Sequence, residues 1–420
     1  VNALLAIPLE IRLALLFVLG AMLGRAVNAA VHGLALTPRE HPRLPRRLGR
    51  LPIVGWWSNV PEARHWAVSW QRLLGVELAC AGALPLLYWW ETVQLGILIP
   101  ATAWEFPLAD PPIPFIALAH RQFLNHLLLG CFMLVASLID FDETTIPDSV
   151  TVPGTLVGLL CVTAMPDSLL PNVTPLVQSM ENQPCWLSAP NPLPGFLRGT
   201  PELGGLLVGW GCVWLWCLGL LPRAWRGSRG WSMAVRLILA RTRRDPATPR
   251  VLLMGLGLSL VVGVLWFVGG VHWAGLLTSL VGLIGGGAMI WVVRIVGGGA
   301  LQREAMGFGD VTLLGMIGAF IGWQACFIAF FVAPFFALLV ALLKWLLRNQ
   351  REIYFGPFLC LAASLVILRW AAIWDWLQGI FEIGWLVPAT FLVCMLLTAL
   401  MLVGWRLLLD FFLGQENSAA

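Results

Sequence analysis

Long apolar runs recur along nearly the whole of this chain, and they fix its solvent before anything else is read. A helix needs about 18 to 20 consecutive apolar residues to cross the hydrocarbon core of a bilayer. Runs of about that length, some shorter, lie near 11–36, 74–99, 123–139, 150–166, 204–221, 251–270, 274–298, 311–323, 325–346, 357–374 and 384–409. The expected architecture is an all-α polytopic integral membrane protein with about eleven transmembrane helices, in a range of roughly eight to twelve because several runs are short or abut. Composition agrees: 59% of the 420 residues are apolar and 11% are charged, where a soluble domain carries roughly 25% charged residues. Disordered, collagenous and disulfide-stapled secreted chains are excluded, since none is dominated by apolar runs.

Charge orients the spans. All but one of the 26 basic residues are Arg, the exception being Lys344. They cluster in loop 37–72, with Arg39, Arg43, Arg46, Arg47, Arg50, Arg64 and Arg72, and in loop 222–250, from Arg223 to Arg250. Basic loops stay on the cytoplasmic side, so both are expected inside, and nucleic acid is not an implied partner. Stretches 100–122 and 167–203 hold Glu105, Asp110, Asp167, Glu181 and Glu202 among prolines, and are expected outside. With about eleven spans, this parity puts the N-terminus outside and loops 140–149, 299–310 and 347–356 inside. Residues 1–36 read as a retained first transmembrane helix rather than a cleaved leader. The cysteines lie almost entirely in apolar runs and form no CxxC pair, with Cys185 alone in a long polar loop. No zinc cage is read from them, and His41 and His65 do not make one. The glycine runs 285–287 and 297–299 are expected to permit close helix packing; the GxxxG spacings Gly20/Gly24 and Gly205/Gly209 point weakly the same way.

Carboxylates beside membrane spans are costly and therefore informative. One cluster is Ile139-Asp140-Phe141-Asp142-Glu143-Thr144-Thr145-Ile146-Pro147-Asp148; the other is Glu304-Ala305-Met306-Gly307-Phe308-Gly309-Asp310. By charge parity both lie at the cytoplasmic boundary, where they could meet. Two carboxyl groups about 3 Å apart share one proton. The ionised member can deprotonate a water, while the protonated member hydrogen-bonds the oxygen that gains charge. Gly307 and Gly309 would let the backbone take φ > 0 and let an extended peptide approach. Taken singly, these residues also have bland readings: Asp148 sits in a helix N-cap region, Asp142 and Glu143 are solvated loop charges, and Asp140 and Asp310 are boundary charges. The pairing is what points to chemistry.

At these residues the chain resembles the prepilin leader peptidases, bacterial membrane aspartyl proteases of the GxGD type. The family pattern IDxDxxxxPDxxT is filled by Asp140, Asp142, Pro147, Asp148 and Thr151; its pattern ExMGxGD, followed by a Leu-rich helix, is filled by Glu304, Met306, Gly307, Gly309, Asp310, Leu313 and Leu314. Looser landmarks follow in order: Gly24 and Asn28, Leu51-Pro52, Glu77, Gly318-Ala319 to Gly322-Trp323, and Phe355-Gly356-Pro357-Phe358. The resemblance implies that Asp140 and Asp310 are the catalytic pair, with Gly307, Gly309, Asp142, Pro147 and Asp148 as supporting motif residues. Glu304 and Glu77 are candidate contacts for a basic leader. It implies an aspartic endopeptidase of the bacterial inner membrane, its site facing the cytoplasm, that cleaves prepilins of type IV pili or pseudopilins of type II secretion. Residues 73–420 would be the membrane peptidase domain, with 167–203 and 222–250 as insertions. No metal or cofactor is implied for proteolysis. Many members also methylate the new N-terminus with S-adenosylmethionine and carry two CxxC pairs in the first cytoplasmic loop. Loop 37–72 has no cysteine, and Thr312 stands where the family often has Lys, so S-adenosylmethionine is expected only if methyl transfer is retained. The presenilin branch is excluded, because Trp89 and Phe355, not Asp, follow the two tyrosines. The rivals are an inactive assembly partner on the same scaffold and a proton-coupled transporter, which would place carboxylates at midplane in repeated halves.

Overall fold

The computed structural model describes residues 5–35, 52, 70–98, 113–173, 183–191, 202–221, 245, 247–301, 306–347 and 354–418, with the backbone alone at 113–114, 301 and 407–418. The basic loops 37–72 and 222–250 fall almost wholly outside these residues, as does Glu304.

Among the described residues eleven α-helices follow one another: α1 (Leu9–Leu34), α2 (Trp70–Tyr88), α3 (Ile113–Glu143), α4 (Asp148–Ala164), α5 (Leu203–Leu220), α6 (Thr248–Val268), α7 (Gly270–Leu301), α8 (Phe308–Leu346), α9 (Gly356–Leu368), α10 (Trp370–Glu382) and α11 (Leu386–Ser418). A π-helical turn at Trp89–Val93 extends α2. Among the described residues eight helices are long and apolar enough to cross a membrane, or nine if α9 and α10, bent by 92°, count as one span. The protein is thus an all-α polytopic membrane protein. Each expected apolar run is helical over most of its described length. The lower count arises because α8 is counted once although it holds two runs, the arms of a hairpin, and because α4, with 17 residues, is shorter than a bilayer requires.

Glycine sets the tightest contacts. Gly282 on α7 faces Gly318 on α8, and a Cβ on either would lie 2.2 or 2.1 Å from the other's carbonyl oxygen. A Cβ on Gly286 would lie 2.5 Å from the Leu314 carbonyl. Backbones packed this closely draw on van der Waals contact, the main attraction left between helices in lipid. The expectation for the 285–287 run therefore holds, whereas Gly299 has open space beside it. Gly20 and Gly24 likewise seat α1 on the backbone of α2 at Cys80 and Glu77.

The helix α8 is broken at Gly322, whose φ of 80° and ψ of 170° are not helical. The segments on either side fold back as a hairpin, since Cys326 Sγ reaches the Leu314 carbonyl at 3.7 Å. Residues 310–322 of the first arm are all buried. The described parts of loop 167–203 close over the Gly322 end: Trp323 Nε1 donates to the Leu187 carbonyl and Gln324 Nε2 to that of Trp186, each at 2.7 Å. Trp370 and Trp374 donate to Pro171 and Asn172. Cys185 is buried here, and that burial pushes its thiol well above the ordinary cysteine range.

Candidate active site

Three helix ends converge at the opposite end of the first α8 arm. The helix α3 does not stop before the first acidic cluster, as the loop expected at 140–149 would require. It runs through Glu143, and the Asp140 carbonyl is closed by the Thr144 N–H at 2.9 Å, with Thr144 in the left-handed region at φ 60°. This is the turn by which many helices satisfy their last carbonyls. Asp140 and Asp142 are therefore helical residues, held on a rigid element. The chain then turns through buried Ile146 and Pro147, and α4 begins at Asp148 with Pro147 as its N-cap.

Asp310 sits in the first turn of α8, two residues after its N-cap-adjacent start at Phe308. Asp140 is 5% exposed and Asp310 7%, and each lies within electrostatic reach of the other. The third end belongs to α9. The Gly356 N–H donates to the Asp140 carboxylate, and a Cβ on Gly356 would come to 2.7 Å from Asp140 Oδ2 and 2.9 Å from Ile146 Cδ1. Only a glycine lets this helix end come so close to the carboxylate. One turn further on, buried Cys360 lies within the field of both aspartates and reaches the Met133 carbonyl at 3.7 Å.

Glycines 307 and 309 do not act as the sequence suggested. Neither has positive φ: Gly307 is the extended N-cap of α8, at φ −64° and ψ 150°. What Gly309 supplies is space. A Cβ there would lie 2.8 Å from Ile146 Cβ and 2.9 Å from Ile146 N, so the residue lets the start of α8 touch the turn after Asp140. Gly307 is beside Asp310: a Cβ on it would lie 3.7 Å from Asp310 Oδ2. The two sequence motifs thus meet through Gly309 and Ile146, and the landmark at Gly356 joins them.

The remaining motif residues have other surroundings. Asp142 forms an ion pair with Arg72, which also donates to the Leu138 carbonyl at 3.3 Å and lies over Phe141; it fastens α2 to α3. Glu77 is fully buried in the α1–α2 seam, 3.4 Å from Arg25. Asp148 is exposed at the start of α4. Sequence reasoning gave Ile146 and Cys360 no part in the site; for Gly356 the signal was present in the Phe355–Phe358 landmark, without its role.

These features define a class: a polytopic helical membrane protein with two carboxyl groups buried where three helix ends meet. Residues 248–342, spanning α6, α7 and most of α8 with Asp310, match the type IV leader peptidase family. Among curated relatives, the prepilin leader peptidase/N-methyltransferase of Aeromonas hydrophila is 31% identical over 118 residues, 25% of this chain and 41% of that protein. That of Pectobacterium carotovorum subsp. carotovorum is 34% identical over 103 residues, 21% and 37% respectively. That of Pseudomonas putida is 28% identical over 175 residues, covering 40% and 57%. The chain thus spans about two fifths of the length of the first of these relatives. No solved structure matches it. The resemblance read from the two aspartate motifs is borne out by these matches.

Proposed function

We propose that this protein is an aspartic endopeptidase that removes the leader of prepilins or pseudopilins, with Asp140 and Asp310 as its catalytic pair. The observation that carries the reading is the burial of both carboxyl groups at one junction of three helix ends. Buried carboxylates in a membrane protein are costly and mark function by default, and a coupled pair has a ready chemical use.

The pair shares a proton. The ionised carboxylate takes a proton from a water, and the resulting hydroxide attacks the scissile carbonyl carbon. The protonated partner hydrogen-bonds the carbonyl oxygen as it gains charge. Collapse of the tetrahedral intermediate breaks the C–N bond as the leaving amine takes a proton. Base and acid are properties of the pair rather than of either residue. The Gly356 N–H fixes the Asp140 carboxylate, and Gly309 lets the start of α8, which carries Asp310, sit against Ile146, so both groups are on elements positioned before substrate arrives.

A leader of basic residues would be drawn to the acidic groups at this end, which include Glu143 and Asp148 beside the site. Glu304, three positions before Gly307 in the sequence and outside the described residues, is retained as a leader contact. Glu77 is a weaker candidate, being enclosed and facing Arg25. This reading places the aspartates on the cytoplasmic side of a bacterial inner membrane, as the Arg-rich loops indicate. Methyl transfer is outside the proposal, because cysteine-free loop 37–72 departs from the pattern of methylating members.

Co-expression of a prepilin with this protein tests the reading, with a matched prepilin peptidase as positive control. The precursor should shift to the mature size on a gel, and the mass of its new N-terminus reports whether one methyl group is added. A precursor left full length by this chain and cut by the control would favour a scaffold or transporter instead.

A further inference from the structure

A second feature lies away from the aspartates. A cavity of about 680 Å³ opens between α1, α2, α3 and α9, walled by apolar side chains such as Leu23, Val27, Leu84 and Leu134. That volume is in the range of about 300–1,000 Å³ typical of ligand sites. Its polar groups gather at one end. Arg369, exposed at the bend between α9 and α10, lines it there, as do Trp89, Trp90 and His126. His126 is 3% exposed; its Nδ1 is 3.0 Å from Glu91 Oε1, and its Nε2 has no hydrogen-bond partner among the described residues. That nitrogen is closed off from the cavity, so Arg369 is the charged group open to an occupant.

The axis of the cavity identifies the occupant. Along α9, Arg369 is 13 residues from Gly356 and so about 20 Å from the aspartate level. On α3, His126 is 14 residues from Asp140, about 21 Å away by the same rise. The lining on α3 ends at Leu134, so the cavity extends about 12 Å from the His126 level toward the aspartates. That is close to half the ~30 Å hydrocarbon core, the depth of one leaflet. A spanning helix would need a groove along the whole core and about 10–12 Å of width. The cavity is instead cationic and tryptophan-rimmed at one end, and apolar for one leaflet's depth below it.

We propose that this cavity holds an anionic glycerophospholipid of the leaflet opposite the aspartates, its phosphate on Arg369 and an acyl chain running past the His126 level toward Leu134. The proposal does not depend on the peptidase reading, and its test needs no substrate.

The full chain, stripped of lipid in mild detergent, is titrated with dioleoyl phosphatidylglycerol or dioleoyl phosphatidylcholine and read by native mass spectrometry. Wild type should retain one phosphatidylglycerol in preference to phosphatidylcholine. Arg369→Gln should lower that retention about tenfold, the order expected for one charge-assisted hydrogen bond. Gly130→Phe should abolish it by filling the cavity, since Gly130 lines the space and a Cβ there meets nothing within 4 Å. Thermal unfolding of lipid-free samples checks that both variants fold. A third sample, Leu134→p-benzoylphenylalanine irradiated in cells, should gain the mass of a phospholipid. Equal retention by wild type and two folded variants overturns the proposal. So does a cross-link from position 134 to a polypeptide, which would assign the cavity to a protein segment.

Discussion

The two aspartates depend on neighbours that hold them, and those neighbours are glycines for reasons of space. Gly356→Ala would drive a methyl group to 2.7 Å from Asp140 Oδ2, displacing the carboxylate or the start of α9. Cleavage should fall by about 10² or more, the scale expected for a misplacement of 1 Å in a preorganised site, while the protein still folds; the measurement is the initial rate of prepilin conversion at matched expression. That Asp140 and Asp310 come together was legible in the sequence, because the spacing of carboxylates, Pro and Gly survives in one dimension. The reason for Gly309 was not. The sequence suggested positive φ, and the structure gives close approach to Ile146, a contact across more than 160 residues that no local pattern encodes. Gly356 was legible only as a landmark, since an N–H donated to Asp140 depends on how α9 is placed.

At the scale of elements, the hairpin in α8 and the glycine seam with α7 set the position of Asp310. Gly322→Ala places a side chain at φ 80°, a strain of about 1–3 kcal/mol. Gly318→Ala drives a Cβ to 2.1 Å from the Gly282 carbonyl, and overpacking of this kind costs about 1–3 kcal/mol. Both should lower the midpoint of thermal unfolding in detergent. Gly211→Ala, where a Cβ meets nothing within 4 Å, should leave it unchanged or raise it, because alanine is the better helix former. Among the described residues the eleven apolar runs anticipated every helix except α10 as a separate element, since length and hydrophobicity are local properties. They did not anticipate that α3 carries its helix through Asp140 and Asp142, because four polar residues in a row read as a loop. Nor did they show how α9 bends by 92° into α10 at Arg369, where Trp370 and Trp374 donate to Pro171 and Asn172, contacts distant in sequence.

The whole molecule is a membrane-embedded bundle whose aspartates and loop cap sit at opposite ends of the first α8 arm. Our orientation predicts that Ser58→Cys and Ser228→Cys react with an impermeant maleimide only from the cytoplasmic face, and Gln183→Cys only from the other. Native Cys185 should stay unlabelled in the folded protein, because it is buried and its thiol is held in the unreactive protonated form. The central claim, that Asp140 and Asp310 act as one catalytic pair, is tested most directly by mass spectrometry of a prepilin co-expressed with wild type, Asp140→Asn, Asp310→Asn and the double variant. The account predicts a precursor that loses its leader with wild type and keeps it with each variant, the double being no worse than either single because the residues act as a unit. Leader removal at the wild-type rate by either single variant, with equal amounts of protein in the membrane, would contradict it.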